Sequence, residues 1–431
     1  MEGWRVLSPA RRVAYAFGVF GTSLLQQTVL LWTFYYYAPP PDQTLPQRLT
    51  PTSLGIAMGL GRLVDALVDP PIAHWSDGQR RRGGRRRPFI LIGAPLLAVV
   101  FALLWRPPDA AVTTTNFVYV AVLLGLFFLL FTLVLNPYMA LLPEVTRAGR
   151  ERIATAAWQT IFTLVGTAVA YIASAHLASR QGFPVMGMVL APLGVIPMLL
   201  AGLAIREHPV ADTPLHFAAA LRAVFGNLRF RIFISGFALL WLGLSMVQLA
   251  LALFVTVLMD LPRAAVGTVL AVGVATTILT TPAVTALAHR IGTHRTLLAA
   301  MGATGATLAL MATIGWWPVP LSAAAQGYVV IALAAPSLAA LFTLPNTLLA
   351  DIAHTAAAER GQRLEGMFFA FQGLILNGAT SLASVLLGSA LATWGYDLGL
   401  RIVPLMAAGC VTAGIAVFRH FPERVAPAAG V

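Results

Sequence analysis

The sequence predicts an all-α integral membrane protein with twelve transmembrane helices arranged as two pseudo-symmetric six-helix halves. Hydrophobic residues make up 58% of the 431 residues and charged residues only 10%, whereas a soluble protein carries about a quarter of its residues as charges. The mean hydropathy is +0.80. The apolar residues form stretches long enough to cross a hydrocarbon core about 30 Å thick. Composition and segment length together therefore place the chain in the membrane class.

Windowed hydropathy divides the chain into its twelve candidate spans. A clear boundary is the segment Arg106-Pro107-Pro108-Asp109, which separates the third span from the fourth. The predicted spans are 13–37, 52–75, 88–105, 115–142, 154–177, 184–205, 230–258, 264–288, 295–315, 321–350, 364–393 and 398–418.

A weak internal repeat predicts the division into halves. The recurring positions are 208 residues apart: Arg87 and Arg295, Pro137 and Pro345, Glu151 and Glu359, and Arg152 and Arg360. We expect an N-terminal half at 1–205, a cytoplasmic bridge at 206–229 and a C-terminal half at 230–431. Prolines are expected to break the fourth and tenth helices. Two parallel repeats with a binding site between them near mid-membrane are typical of major-facilitator transporters.

Arginine placement predicts the orientation of the chain. All 28 basic residues are Arg, and 22 of them lie in the terminal segments and loops on one side of the predicted bundle, whereas five lie on the other side. Cytoplasmic loops carry such an excess. Both termini are therefore expected in the cytoplasm and the protein in the cell (plasma or inner) membrane.

Several classes of function are excluded at this stage. Cys410 is the single cysteine, so neither an intrachain disulfide nor a cysteine-based metal site is expected. No pattern of nucleophile and base indicates an enzyme. The basic charge is explained by topology, so nucleic acid is not expected as a partner. The expected partners are a small solute and the lipid bilayer, and the protein is expected to be a monomer without a cofactor or metal site.

A stripe of charged residues in the second span is the candidate ion-binding site. Arg62, Asp65 and Asp69 fall at i, i+3 and i+7, on one face of a helix. Each charge in the bilayer costs at least about 2.5 kcal/mol on insertion scales, so the three must face a polar interior and one another. Two carboxylates a turn apart suit Na⁺ or a shared proton. The alternative is a structural ion pair of Arg62 with Asp65 that only locks helices together.

A second group of charges follows at the cytoplasmic end of this span. Asp77 precedes an arginine run that includes Arg85 and Arg86. Such charges form a latch when ion pairs hold one half against the other in one state and release in the next. The alternative is that the arginines only set the topology.

The sequence resembles a known family at these positions. The motif Arg62-x-x-Asp65-x-x-x-Asp69-Pro70, followed by Gly84-Arg-Arg-Arg-Pro-Phe-Ile-Leu-Ile-Gly93, is similar to the glycoside-pentoside-hexuronide:cation symporters of the major facilitator superfamily, the family of melibiose permease. The Arg-Arg-Arg-Pro-Phe-Ile part also resembles the sucrose:proton symporters. The segments Tyr35-Tyr36-Tyr37 and Arg363-Leu364-Glu365-Gly366 extend the resemblance over the whole chain.

The resemblance implies a cation site made by Asp65, Asp69 and Thr132. Sodium-using members of the family place an Asn immediately before the second Asp, where this chain has Val68. The missing oxygen ligand favours H⁺ over Na⁺ as the coupling ion.

The implied solute site is neutral. Where the galactoside carriers have two Asp and one Lys, this chain has Ser23, Leu135 and Asn377, so a galactoside held by paired carboxylates is not expected. The remaining substrate-binding candidates are Ser23, Gln26, Gln27, Asn136, Trp158, Gln159, Gln372 and Asn377. Amides and indoles suit sugar hydroxyls and sugar faces, but such side chains also join transmembrane helices.

The predicted function is symport of a neutral polar solute, expected to be a sugar or glycoside, coupled to H⁺ or Na⁺ by alternating access. Two alternatives remain open. The same fold could move an amphipathic lipid-like or drug-like molecule, which a neutral interior rich in Trp would suit. A non-transporting assembly factor or sensor is disfavoured by the acids of the second span.

Overall fold

A computed structural model describes residues 8–41, 43–78, 86–142, 146, 150–205, 221–222, 224–360 and 365–422. Within these ranges, the side chains of residues 69–71, 73–78, 150, 153, 357–360 and 365 lie outside the description. The described chain is helical, with short connections at both ends of the bundle.

Six helices form the N-terminal half. They are α1 (Pro9–Tyr37), α2 (Pro51–Gly78), α3 (Arg87–Leu104), α4 (Thr114–Ala140), α5 (Arg150–Arg180) and α6 (Phe183–Ala204). Local sequence starts two of them. The Ser8 hydroxyl caps α1 by accepting from the Arg11 amide at 3.4 Å, and the Thr113 hydroxyl caps α4 by accepting from the Asn116 amide at 3.1 Å. A hydroxyl at the N-cap satisfies an amide that has no partner within the helix.

The C-terminal half contains α7 (Leu228–Leu253), α8 (Ala265–Ile291), α9 (Thr293–Ala312), α10 (Ala323–Arg360) and α11 (Glu365–Phe418). A π-helical turn, Phe254–Leu258, continues α7. The long α11 bends at Gly395, whose φ of 72° lies in the left-handed region. Glycine is the residue that adopts this conformation at no steric cost, so the bend separates two arms, 365–394 and 396–418.

The predicted all-α membrane fold is confirmed. In the described part of the chain, ten helices are long and apolar enough to cross a membrane. The α2 helix, with Arg62, Asp65 and Asp69 in its middle, falls outside that set. The last of the ten covers the 53 residues of Gly366–Phe418, far more than the ~20 that one crossing needs. The two arms of α11 match the last two predicted spans.

The expected breaks at two prolines are wrong. Pro137 lies inside α4, and α10 runs through Pro345 to Arg360, ten residues beyond the predicted end of the span. Proline removes one backbone hydrogen bond, but neighbouring helices and side chains compensate for this loss in a membrane bundle.

Within the described part of the chain, the main contacts between the two halves are those of α1 with α7, α2 with α11, and α5 with α8. Glycines allow two of these contacts. A Cβ on Gly388 would lie 2.3 Å from the Pro51 carbonyl oxygen, and one on Gly267 would lie 2.6 Å from that of Tyr171. Beside the first contact, the Ser384 hydroxyl donates to the Gly55 carbonyl at 3.0 Å. These contacts lie at the end of the bundle formed by loops 38–50 and 259–264, which we call the outer end.

A second set of contacts closes the outer end. Arg263 Nε donates to the Tyr35 hydroxyl at 3.4 Å, and its Nη1 donates to the Ala178 carbonyl at 3.3 Å. The Tyr396 hydroxyl donates to the Ala38 carbonyl at 2.7 Å. Two further hydrogen bonds between the halves lie nearer the middle of the bundle: the Ser381 hydroxyl donates to the Gly59 carbonyl, and Gln248 donates to Gln27. The structure therefore represents a state that is sealed on the side opposite the arginine-rich loops.

We expect Gly388→Leu to destabilise this sealed state. The new side chain would meet the backbone of α2 at 2.3 Å, and overpacking of this kind costs about 1–3 kcal/mol. Thermal unfolding of the purified protein measures the effect. Gly409→Leu is the matched control because no atom lies within 4 Å of a Cβ built on Gly409, which is on the same helix. Equal melting temperatures for the two variants would contradict the close contact.

Candidate cation and solute site

The charged part of the site lies where α2 packs on α4. Gly61 makes this approach possible, since a Cβ there would lie 3.0 Å from the side chain of Leu124. The next turn of α2 places Arg62 and Asp65 against α4, where they are 6% and 5% exposed, and Thr132 of α4 is 3% exposed. Three polar side chains are therefore buried together between α2 and α4.

Asp65 is the centre of this group. Its Oδ2 lies 3.2 Å from Arg62 Nη1, and its Oδ1 accepts a hydrogen bond from the Thr132 hydroxyl. The Arg62 guanidinium also lies 4.0 Å above the centre of the Phe128 ring. A buried carboxylate is tolerable when it is paired and its remaining lone pairs are satisfied. Both oxygens of Asp65 meet this condition.

The structure brings together three of the four predicted residues of the charged site. Arg62, Asp65 and Thr132 are in contact, whereas the Asp69 side chain lies outside the described residues. The ion pair of the alternative interpretation is present. The role of these residues as cation ligands stays a prediction. Phe128 was missed, because its position over Arg62 depends on the register of α2 against α4, which the sequence does not reveal.

The predicted latch is described only in part. Arg85 and the side chain of Asp77 lie outside the described residues. Arg86 is buried, and its Nη1 donates to the carbonyl of Ala140, the last residue of α4, at 2.7 Å. The neighbouring Arg87 donates through Nε to the Gly202 carbonyl of α6 at 2.9 Å. Both bonds stay inside the N-terminal half and satisfy carbonyls near helix ends. The latch itself stays a prediction.

The polar face of α1 lies among buried neighbours. Ser23, Gln26 and Gln27 are half-buried, whereas the residues around them are buried. Gln27 Oε1 accepts from the Tyr171 hydroxyl of α5 and from Gln248 Nε2 of α7, both at 3.3 Å. This amide thus joins the two halves. Within the described part of the chain, no hydrogen bond to the Ser23 or Gln26 side chain is found.

The candidates on α4 and α5 differ in how much of each side chain is exposed. Gln159 is buried and donates to the Tyr138 hydroxyl at 3.1 Å, a contact that joins α5 to α4. Trp158 is 43% exposed and stacks on Phe162 with the ring centroids 5.7 Å apart. Asn136 is half-buried. Trp158 and Phe162 thus offer an accessible aromatic surface on α5.

The candidates on α11 lie in its first arm. Gln372 is buried and Asn377 is half-buried, and no side-chain hydrogen bond to either is found among the described residues. Sequence reasoning missed Tyr171 and Gln248. Gln248 could have been found as the one amide within the apolar stretch of α7, since a polar group at that depth requires a partner.

These features define a class of protein. A twelve-crossing helical bundle with a buried acid–guanidinium pair in α2, and with neutral polar side chains where α1 meets α7, is a multi-pass membrane transporter of the major facilitator fold rather than an enzyme. The chain belongs to the MFS/sugar transport protein family, whose family model matches residues 14–418.

Two curated relatives that are similar to this chain are named as symporters. The uncharacterized symporter sll1374 of Synechocystis sp. is 27% identical over 207 residues, which cover 46% of this chain and 37% of that protein. The sodium-dependent lysophosphatidylcholine symporter 1 of Gallus gallus is 22% identical over 412 residues, which cover 85% of this chain and 74% of that protein. The chain spans less than two fifths of the length of the first relative.

A solved structure agrees in fold. The nucleoside transporter NupG (D323A mutant) superimposes with a TM-score of 0.74 at 15% identity, covering 96% of this chain and 99% of that chain. At this identity the similarity shows the fold alone.

Proposed function

We propose that the protein is a cation-coupled symporter of a neutral polar solute, with a sugar or glycoside as the solute class. It works as a monomer in the cell inner membrane with both termini in the cytoplasm. The observation that carries the proposal is the buried Asp65 carboxylate, held by Arg62 at 3.2 Å and by the Thr132 hydroxyl. This group can exchange its guanidinium partner for a coupling ion.

Competition between Arg62 and the ion provides the coupling. A carboxylate in the bilayer requires a positive partner or a proton. When the coupling ion binds Asp65, it displaces Arg62 from this carboxylate, and when the ion leaves, Arg62 returns. Thr132 is fixed on α4, so each exchange also changes the contact between α2 and α4. Because Val68 supplies no oxygen ligand, H⁺ is the preferred coupling ion.

The solute is placed where α1, α5, α7 and α11 meet. Ser23 and Gln26 offer hydrogen-bonding groups, and Trp158 offers a ring face. Such a set recognises hydroxyls and the apolar face of a sugar ring without a charged partner. The family name, MFS/sugar transport protein, agrees with this class.

The first test is thermal stability of the purified protein with a panel of sugars, each in NaCl or KCl at two pH values. A ligand that binds only the folded state raises the melting temperature by mass action. We expect a sugar-specific increase that grows at low pH. A complete lack of response to sugars, glycosides and nucleosides in both salts would contradict the proposed solute class.

A second candidate solute is an amphipathic lipid-like molecule. The exposed Trp158–Phe162 pair, 5.7 Å apart, extends through an edge contact of Phe162 with Phe17 at 5.1 Å, and such a surface accommodates an acyl chain. The relative from Gallus gallus is a lysophosphatidylcholine symporter aligned over most of this chain. A melting-temperature increase with lysophosphatidylcholine, and none with sugars, would select this candidate.

A further inference from the structure

A cavity of about 460 Å³ lies away from the solute site, at the end of the bundle that carries the arginine-rich loops. It is formed by the start of α7, the turn between α8 and α9, the late part of α10 and the segment after α11. The proposed function leaves it without a role.

The charged side chains that line this cavity have no ion-pair partner among the described residues. Arg229 of α7, Arg295 of α9 and Asp351 of α10 line it, yet none of the three forms an ion pair or side-chain hydrogen bond in the described part of the chain. Arg229 is half-buried, whereas Arg295 and Asp351 are exposed. Two guanidiniums and one carboxylate leave the cavity with a net positive charge.

The turn between α8 and α9 adds to the positive potential. Gly292 precedes α9 with φ at +92°, and no side chain caps the helix. The first residues of α9 line the cavity, so the positive end of the helix dipole lies at its wall. His294 lines the same wall, with its ring stacked 5.6 Å from that of Phe421 and its Nε2 3.0 Å from the Phe418 carbonyl oxygen. The histidine ring is thus held in place.

We propose that this cavity binds a phosphate group, supplied either by a phospholipid headgroup or by a free phosphate. Arginine forms two parallel hydrogen bonds to phosphate oxygens, and Arg229 and Arg295 reach the cavity from two different helices. Asp351 accepts from a hydroxyl on the phosphate or on its substituent. Pro422 and Phe421 form an apolar edge suited to the glycerol and first methylenes of a lipid.

The test measures binding by thermal shift of the full-length protein in a phosphate-free maltoside detergent. Three probes are titrated: inorganic phosphate, dioctanoyl phosphatidylglycerol, and dioctanoylglycerol, which has the same chains without the phosphate. Sodium chloride at matched ionic strength controls for screening. Stabilisation by both phosphate probes identifies the phosphate itself as the ligand, and stabilisation by the phosphatidylglycerol alone identifies a lipid headgroup. Either result supports the site.

The variant Arg229→Gln/Arg295→Gln is expected to weaken binding by at least about tenfold for each guanidinium removed. The matched control is Arg290→Gln/Arg419→Gln, which removes two exposed arginines at the same end of the bundle that do not line the cavity. Asp351→Asn is expected to bind inorganic phosphate more tightly, since it removes a negative charge from the wall. Equal loss in the control pair, equal stabilisation by dioctanoylglycerol, or no stabilisation by any phosphate probe would overturn the proposal.

Discussion

Asp65→Asn is expected to abolish accumulation of the solute against its gradient. The amide keeps the shape of the carboxylate and can still accept from Thr132, but it carries no charge to attract Arg62 or a coupling ion. The free-energy link between ion and solute is then lost, so the steady ratio of internal to external solute should fall to about one. Solute counterflow, which needs no net ion movement, should persist.

Proteoliposomes with an imposed proton or sodium gradient measure this effect. Asp397→Asn is the control, because Asp397 is a carboxylate of the outer end whose side chain is 71% exposed and pairs with Arg401 at 3.3 Å. Because this carboxylate is exposed to solvent, its ion pair contributes little to stability, and Asp397→Asn leaves the buried Arg401 with its hydrogen bonds to the Ala312 and Ile314 carbonyls. Accumulation by Asp65→Asn at the wild-type level would show that the buried carboxylate does not couple transport.

Arg62→Gln is expected to lower stability strongly and to make it depend on the coupling ion. Removing one partner of a buried pair leaves an uncompensated charge, which costs about 3–5 kcal/mol. A proton or Na⁺ on Asp65 should then take over the role of the guanidinium. The melting temperature should therefore fall at neutral pH and recover at low pH, or in NaCl but not in KCl, which also identifies the ion.

The double variant Arg62→Gln/Asp65→Asn separates charge from shape. It contains no buried charge at these two positions, so its stability should exceed that of Arg62→Gln and should not respond to the ion. The difference between the single and double variants measures the interaction of the pair. If Arg62→Gln melts like the wild type under all conditions, the ion pair is not what keeps Asp65 buried.

The number of crossings could be read from the sequence because each apolar stretch forms its backbone hydrogen bonds within itself. The bend at Gly395 lies in the gap between the last two predicted spans, because each arm of α11 is one apolar stretch. The continuity of α10 through Pro345 could not be predicted, since it depends on neighbouring helices that tolerate a missing hydrogen bond.

The site shows the same limit. The spacing of Arg62 and Asp65 is a local property of one helix, and the pair was predicted from it. Phe128 lies on another helix, so its position over Arg62 depends on how two helices are packed. Gln27 was predicted as a solute ligand, yet its partner Gln248 comes from the other half of the chain, 221 positions away. Contacts across the bundle depend on tertiary geometry that a single sequence does not contain.

Arg86 and Arg87 have a consequence for the biogenesis of the protein. They belong to the arginine run that predicts a cytoplasmic loop during membrane insertion. In the folded bundle they donate to carbonyls at the ends of α4 and α6. The same guanidiniums thus act first on the nascent chain and later on the assembled helices. Replacing them with acidic residues would change the charge of this loop and would also remove both hydrogen-bond donors from the N-terminal half. We therefore do not expect such a variant simply to insert in the opposite orientation, because its N-terminal half would lack these two bonds.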